Sequence, residues 1–141
     1  MTLVSGVQMH DWARQLFPIN RSLTGDGVRE TLRFIKDFLP ELQVFEVPTG
    51  TQAFDWVIPK EWSIRNAWIA DMNGNKLIDF KKNNLHCVGY SAPIDKILSR
   101  EELDPYLYSL PNQPNAIPYV TSYYKEHSGS VSYTHLRAHE T

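Results

Sequence analysis

Cysteine is almost absent from this sequence, since Cys87 is the only one among 141 residues. One cysteine excludes an internal disulfide framework and favours a reducing, cytoplasmic compartment. An excess of one charge is lacking too, because 14 basic residues stand against 16 acidic ones. We therefore expect no nucleic-acid partner, which would need a basic surface. We also expect no membrane association, since no apolar run approaches the roughly 20 residues that span a bilayer. Residues 1–10 lack the features of a signal peptide.

What is present is an ordinary globular composition. The hydrophobic fraction is 42% and the charged fraction is 21%, values typical of folded domains. The length is close to that of one domain. The composition thus excludes disorder along the whole chain and predicts a packed core.

Two helices are predicted near the start. Residues 5–17 carry apolar side chains at spacings of three and four, with Ser5 as the N-cap and Pro18 as the stop. A second amphipathic stretch follows a turn-rich loop and covers residues 26–39, with Asp26 as its predicted cap.

Strand patterns follow the helices. The alternation in residues 42–47 predicts a strand, so a helix-helix-strand arrangement begins the chain. Later stretches rich in aromatic and β-branched residues also predict strands, namely residues 54–58, 64–70, 85–90 and 119–124. The sequence therefore predicts an α+β protein in which an α/β start is followed by a β-rich module.

Two local signals are stronger than the rest. Asn73-Gly74 favours a hairpin turn with positive φ at both residues. Ser99 and Glu102 have the spacing of a capping box and predict a short helix to about residue 108.

Metal and nucleophile chemistry find little support in the spacing. His135 and His139 are four residues apart, but Leu136 excludes the His-Glu-x-x-His signature. Cys87 follows His86, and neighbours on a strand point to opposite faces, so a core thiol is favoured over a nucleophile.

Other candidates favour structural interpretations as well. Gly25-Asp26-Gly27 could present N–H groups to an anion, but a turn with an N-cap explains it better. Asp55 and Asp79 are interpreted as solvated acids at strand ends, since nothing places them together.

The aromatic residues leave two interpretations open. They could form a sugar-stacking or peptide-docking face, or they could build the core of a small β module, which is the favoured interpretation. They are Trp56, Trp62, Trp68, Tyr119, Tyr123 and Tyr124.

Several unusual strings carry a family resemblance. They are LFPINRSLTGDG at 16–27, VPTGT at 47–51, FDW at 54–56, PKEW at 59–62, NLH at 84–86, PNQPNAIP at 111–118 and TSYY at 121–124. Together they resemble a bacterial aminopeptidase-like family, a domain of unknown function related to two-zinc aminopeptidases. The resemblance covers about residues 8–127.

The resemblance implies a domain organisation. Family members carry a β-rich domain inserted early in the peptidase domain and a winged-helix domain at the C-terminus. Residues 1–52 would begin the peptidase domain, and 53–127 would form most of the insertion. The match stops at Ser128, and residues 128–141 resemble translated adapter sequence, so we expect a non-native tail there.

The implied function belongs to a longer parent. That parent would be a metallopeptidase with zinc as its cofactor, and its zinc motifs would follow residue 127. No catalytic, cofactor-binding or metal-binding residue is therefore assigned to this chain, which is expected to be inactive. Its expected partner is the remainder of its own peptidase domain, besides a peptide substrate or further copies of itself. Two rivals remain open: a glycan- or peptide-binding β module on a non-catalytic peptidase-like scaffold, and a structural part that caps the active site or mediates self-association.

Overall fold

The computed structural model describes residues 4–128 and 131–132. Two compact units are present, Met1–Ser63 (unit 1) and Ile64–Thr141 (unit 2). Both belong to an α+β fold made of short helices and two-stranded sheets. Within the described ranges, no helix has the length and apolar character that crossing a membrane requires.

Helix α1 spans Gly6–Leu16 and confirms the first predicted helix. Ser5 caps it through a full capping box, because its hydroxyl accepts from the Gln8 N–H and the Gln8 side chain accepts from the Ser5 N–H. These contacts satisfy N–H groups that the first helical turn leaves without partners.

Helix α2 spans Asp26–Phe38 and confirms the second. The predicted cap is wrong by one residue, since Gly25 holds the N-cap position with φ 120°. Asp26 is instead the first helical residue, and its N–H donates to the Ser63 hydroxyl at 3.0 Å. On the apolar face, the Trp12 ring lies 4.6 Å from that of Phe38, which joins α1 to α2.

The strand predicted at residues 42–47 is wrong, because the structure describes that segment as irregular. A strand exists only beside a hydrogen-bonding neighbour, and the described residues provide none there. A hairpin follows instead, in which β1 (Gln52–Ala53) pairs with β2 (Trp56–Val57) in antiparallel register. The predicted strand at 54–58 thus shrinks to two residues.

Unit 2 opens with the predicted hairpin. Strand β3 (Trp68–Ala70) pairs antiparallel with β4 (Lys76–Asp79), and a register shift follows Ile69. Gly74 has φ 84°, whereas Asn73 is not in the left-handed region. The hairpin is confirmed. The predicted turn, with positive φ at both Asn73 and Gly74, is wrong, because a longer loop that begins at Asp71 connects the two strands.

The rest of unit 2 is mostly irregular. A 3-10 turn covers Asn84–His86, and helix α3 (Arg100–Leu103) continues into a second 3-10 turn at Asp104–Tyr106. The Ser99 capping box is confirmed, although its helix ends earlier than predicted.

The last two strand pairs of the chain are parallel. Strand β5 (Ser91–Ala92) pairs with β7 (His127–Ser128), and β6 (Leu107–Tyr108) pairs with β8 (Val131–Ser132). The strands predicted at 85–90 and 119–124 are wrong. In the first stretch only Leu85 and His86 belong to the 3-10 turn, and residues 88–90 are irregular. The second stretch has no neighbouring strand among the described residues.

The core is small. Among the residues whose burial is described, the buried apolar side chains are Ile78, Val88 and Tyr90, together with the polar His86. All four lie in unit 2.

Two predictions about domain organisation stay predictions. The predicted domain boundary after residue 52 falls inside unit 1. The predicted tail at 128–141 lies almost entirely outside the described residues.

Candidate functional site

The loop that leads into α2 binds the end of unit 1. The Ser22 hydroxyl lies within hydrogen-bond distance of the Trp62 carbonyl oxygen, at 3.1 Å. Gly25 is buried, and a Cβ on it would lie 2.6 Å from that same oxygen. Glycine is required here for its φ and for this close approach. The Gly25-Asp26-Gly27 motif therefore has a structural role, because its contacts hold the start of α2 against residues 62 and 63.

An anion site at this helix start is not supported. The Asp26 N–H, which an anion would need, already donates to Ser63 Oγ. The Asp26 carboxylate also places negative charge beside the helix start, with Arg29 3.5 Å from it.

Ion pairs of Arg29 add to the contacts that hold the start of α2. The Arg29 guanidinium donates through two nitrogens to the two oxygens of Glu61, and its Nε lies 3.7 Å from the Glu46 carboxylate. The hydrogen bond and charge of Glu61 raise the pKa of Arg29 above its ordinary value. Arg29 thus ties α2 to residue 61 and to the irregular segment at 42–47.

The three described histidines, His10, His86 and His127, lie in separate segments. His10 lies in unit 1 beside Arg14, 3.4 Å from its guanidinium. His86 is buried in unit 2, and His127 Nε2 lies 3.2 Å from the Gly89 carbonyl oxygen. Within the part of the chain that the structure describes, no three His, Cys, Asp or Glu residues are grouped so as to hold a metal ion. His135 and His139 lie outside that part.

Cys87 is a structural thiol in this geometry. Burial raises its pKa, so less of the reactive thiolate forms near neutral pH. The thiol lies 3.7 Å from the Val88 carbonyl oxygen. The sequence predicted a core cysteine, and a half-buried, hard-to-ionise thiol agrees with that interpretation.

The two acidic candidates lie at turns in different units. Asp79 accepts from the Lys81 N–H at 3.0 Å and from Lys76 Nζ at 3.1 Å, and these contacts lower its pKa. Asp55 lies in the β1–β2 turn of unit 1, whereas Asp79 ends β4 in unit 2. Their interpretation as acids at strand ends agrees with these positions.

Most of the aromatic residues are not in the core. Tyr119 is 90% exposed, Tyr123 75% and Trp68 54%. The favoured core interpretation is therefore wrong for most of the set, because these side chains lie on short strands or irregular segments at the surface. Trp68 is not a free stacking surface either, since Lys76 Nζ lies 5.1 Å from its ring centre.

Sequence reasoning missed one feature of unit 2, an open cavity of about 370 Å³. Its walls combine aromatic and polar side chains with apolar ones, namely Val88, Pro105, Tyr106, Tyr108, Val120, Thr121, Ser122 and His127. The Ser122 hydroxyl and His127 Nε2 both lie on the Gly89 carbonyl, at 3.1 and 3.2 Å.

Comparison with known proteins gives the chain its context. The family described as "Domain of unknown function (DUF2172)" matches residues 61–139. That match includes most of the residues predicted to be a non-native tail, and the tail prediction stays a prediction.

Two matches, a curated protein and a crystal structure, come from Clostridium acetobutylicum, and each is longer than this chain. One, described as a "Putative polysaccharide biosynthesis protein with aminopeptidase-like domain", is 47% identical over 125 residues, which is 89% of this chain and 29% of that relative. The other is a crystal structure of a "putative peptidase", with a TM-score of 0.90 and 45% identity over 96% of this chain and 32% of that one. This chain therefore spans about a third or less of either relative.

Proposed function

Because the chain belongs to the family described as "Domain of unknown function (DUF2172)", we propose that it is a non-catalytic structural part of an aminopeptidase-like hydrolase. The observation that carries this proposal is the fold match: 96% of the chain superposes on one third of a peptidase-like structure, with a TM-score of 0.90. The relative with an aminopeptidase-like domain supports the same class of protein.

The residues of unit 1 suit a scaffold. The Ser22, Gly25 and Asp26 contacts fix the start of α2 against residues 62 and 63. None of these groups is left to activate water or to polarise a peptide carbonyl. Their work is to hold backbone segments in place.

The zinc that the family resemblance implies does not fit the described residues. They contain no group of three possible ligands, whereas a catalytic zinc uses three protein ligands. In this proposal the metal and the catalytic groups are supplied by other parts of a longer protein, and this chain contributes none from residues 4–128. Its partner is then the remainder of that polypeptide, and a reducing compartment stays a prediction from the single cysteine.

A second candidate function rests on the cavity of unit 2. Tyr106 and Tyr108 offer aromatic faces, and the described residues that line the cavity include His127 but no Asp, Glu, Lys or Arg. Such a site suits a neutral, hydroxyl-rich ligand such as a saccharide, or an uncharged peptide segment. The word polysaccharide in the relative's description agrees with this candidate. Replacing Tyr106 and Tyr108 by alanine should abolish saccharide-induced NMR shifts if the cavity binds, and should change nothing if it does not.

A segment exchange tests the main proposal. The matching segment of the C. acetobutylicum relative is replaced by this chain, and the hybrid is compared with the intact relative in thermal unfolding and in hydrolysis of aminoacyl anilides. The proposal predicts one cooperative transition and unchanged hydrolysis. The matched control is the hybrid with Gly27→Ala, which should unfold at a lower temperature than the unsubstituted hybrid. A hybrid that does not fold would contradict the proposal.

A further inference from the structure

The turn between β1 and β2 holds an unusual phenylalanine. Phe54 is 100% exposed and its φ is 56°. The register pairs Ala53 with Trp56, so Phe54 and Asp55 form a two-residue loop. In such loops the first position with positive φ is ordinarily glycine, because side chains are strained there. A bulky aromatic residue is thus held where backbone and solvation both disfavour it.

Hydrogen bonds hold the backbone of this turn and of the hairpin below it. The Gln52 side-chain amide donates to the Phe54 carbonyl oxygen at 2.7 Å. The hairpin continues below the turn, where the Ile58 N–H donates to the Thr51 oxygen at 2.9 Å and the Gly50 N–H donates to the Ile58 oxygen at 2.9 Å. A large apolar ring that a hydrogen-bonded turn presents to solvent has the character of an anchor for another surface.

The same unit leaves a second apolar element uncovered. Glu46 faces α2, because its carboxylate lies 3.7 Å from Arg29 Nε. On either side of Glu46 in the chain, Phe45 is 81% exposed and Val47 is 55% exposed. Unit 1 therefore presents Phe54 and Phe45 to a surface that the described residues do not provide.

The geometry points to one occupant, and we propose that Phe54 anchors the β1–β2 hairpin in an apolar recess on the remaining polypeptide of the longer protein. This inference rests on the proposed function. The length of the relatives supports that occupant, because the chain matches only 29% of one relative and 32% of the other. About two thirds of each relative's polypeptide lies outside the matching segment, and the proposal assigns the recess to that part.

The test compares Phe54→Asn in this chain and in the hybrid with the C. acetobutylicum relative. Asparagine tolerates positive φ and lacks the ring. In the isolated chain the substitution should leave the unfolding midpoint unchanged or raise it. In the hybrid it should lower the midpoint by about 3 °C or more. The matched control, Met72→Asn, replaces an apolar residue of the β3–β4 turn that is 82% exposed and should act alike in both proteins.

Hydrogen exchange gives a second measurement that needs no variant. Amides of residues 52–57 should exchange at least about tenfold more slowly in the hybrid than in the isolated chain. Equal exchange and equal effects of Phe54→Asn, in a hybrid that folds, would overturn this inference alone. A hybrid that does not fold would overturn the proposed function with it. A dimer of the isolated chain that Phe54→Asn dissociates would show that the occupant is a second copy instead.

Discussion

Gly27 lies against the backbone of Asn20 so closely that a Cβ on Gly27 would lie 1.8 Å from the Asn20 carbonyl oxygen. This contact folds the loop at 20–27 back onto the first turn of α2. Gly27 has no left-handed φ, so it is required for space rather than for conformation. The string that carries the family resemblance is thus explained by close backbone packing.

The first prediction follows from that contact. Gly27→Ala should destabilise the chain by about 3 kcal/mol, because a backbone oxygen cannot yield as a flexible side chain would. Gly6→Ala is the control, since nothing lies within 4 Å of its added Cβ, and it should change stability by less than about 0.5 kcal/mol. Urea unfolding measures the stability of both variants. Equal midpoints would show that the close contact between Gly27 and the Asn20 carbonyl oxygen does not determine stability.

A second prediction concerns the β3–β4 turn. Gly74 has φ 84° and open space around it, so substitutions there act through backbone strain alone. Gly74→Val should cost about 1–2 kcal/mol, while Gly74→Asn should cost less because asparagine tolerates this region. Should valine and asparagine give the same denaturation midpoint, strain at Gly74 is not the cause.

A third prediction concerns the loss of folding stability at acid pH. Asp71 accepts from the Asn73 and Asn75 N–H groups and from the Asn75 side chain, at 2.8–2.9 Å. These bonds, that of the Asn75 side chain first, lower the pKa of Asp71. Its stabilising contribution is therefore complete above the unfolded aspartate pKa of about 3.9, and it is lost as the pH falls through the lower folded pKa.

The measurement is urea unfolding from pH 7 to pH 2 with Asp71→Asn as the comparison. The wild-type chain should lose more stability than the variant below about pH 4, since asparagine has no proton to gain. Parallel curves for the two proteins would show that Asp71 does not contribute to the acid dependence.

The fourth prediction concerns the single thiol. Because burial raises the pKa of Cys87, the folded chain should react with a thiol reagent at pH 8 at least about tenfold more slowly than the same chain in urea. The rate of colour release measures this. A folded-state rate equal to or above the unfolded one would instead favour an activated cysteine.

Local signals in the sequence predicted local structure well. The correct predictions concern the capping residues Ser5 and Ser99, the end of α1 before Pro18 and the hairpin at Asn73-Gly74. All of them depend on interactions between residues that are close in the chain. Such interactions can be recognised without knowing the rest of the fold.

Strands and burial could not be predicted in the same way. The alternation at 42–47 predicted a strand, but a strand needs a neighbour that the described residues do not supply. The aromatic residues look like core residues, yet Tyr119 and Phe54 are exposed. The cavity at Tyr106 and Tyr108 depends on contacts with residues 120–127, which no short pattern shows.

The central claim is that this chain supplies structure and not metal chemistry, and zinc titration tests it most directly. The chain is dialysed against zinc and its bound metal is counted, beside a variant with His135→Ala and His139→Ala that removes the two histidines outside the described residues. We predict less than about 0.1 equivalent of tightly bound zinc in the variant, because a site of three protein ligands is needed. One or two equivalents retained by the variant would contradict the account.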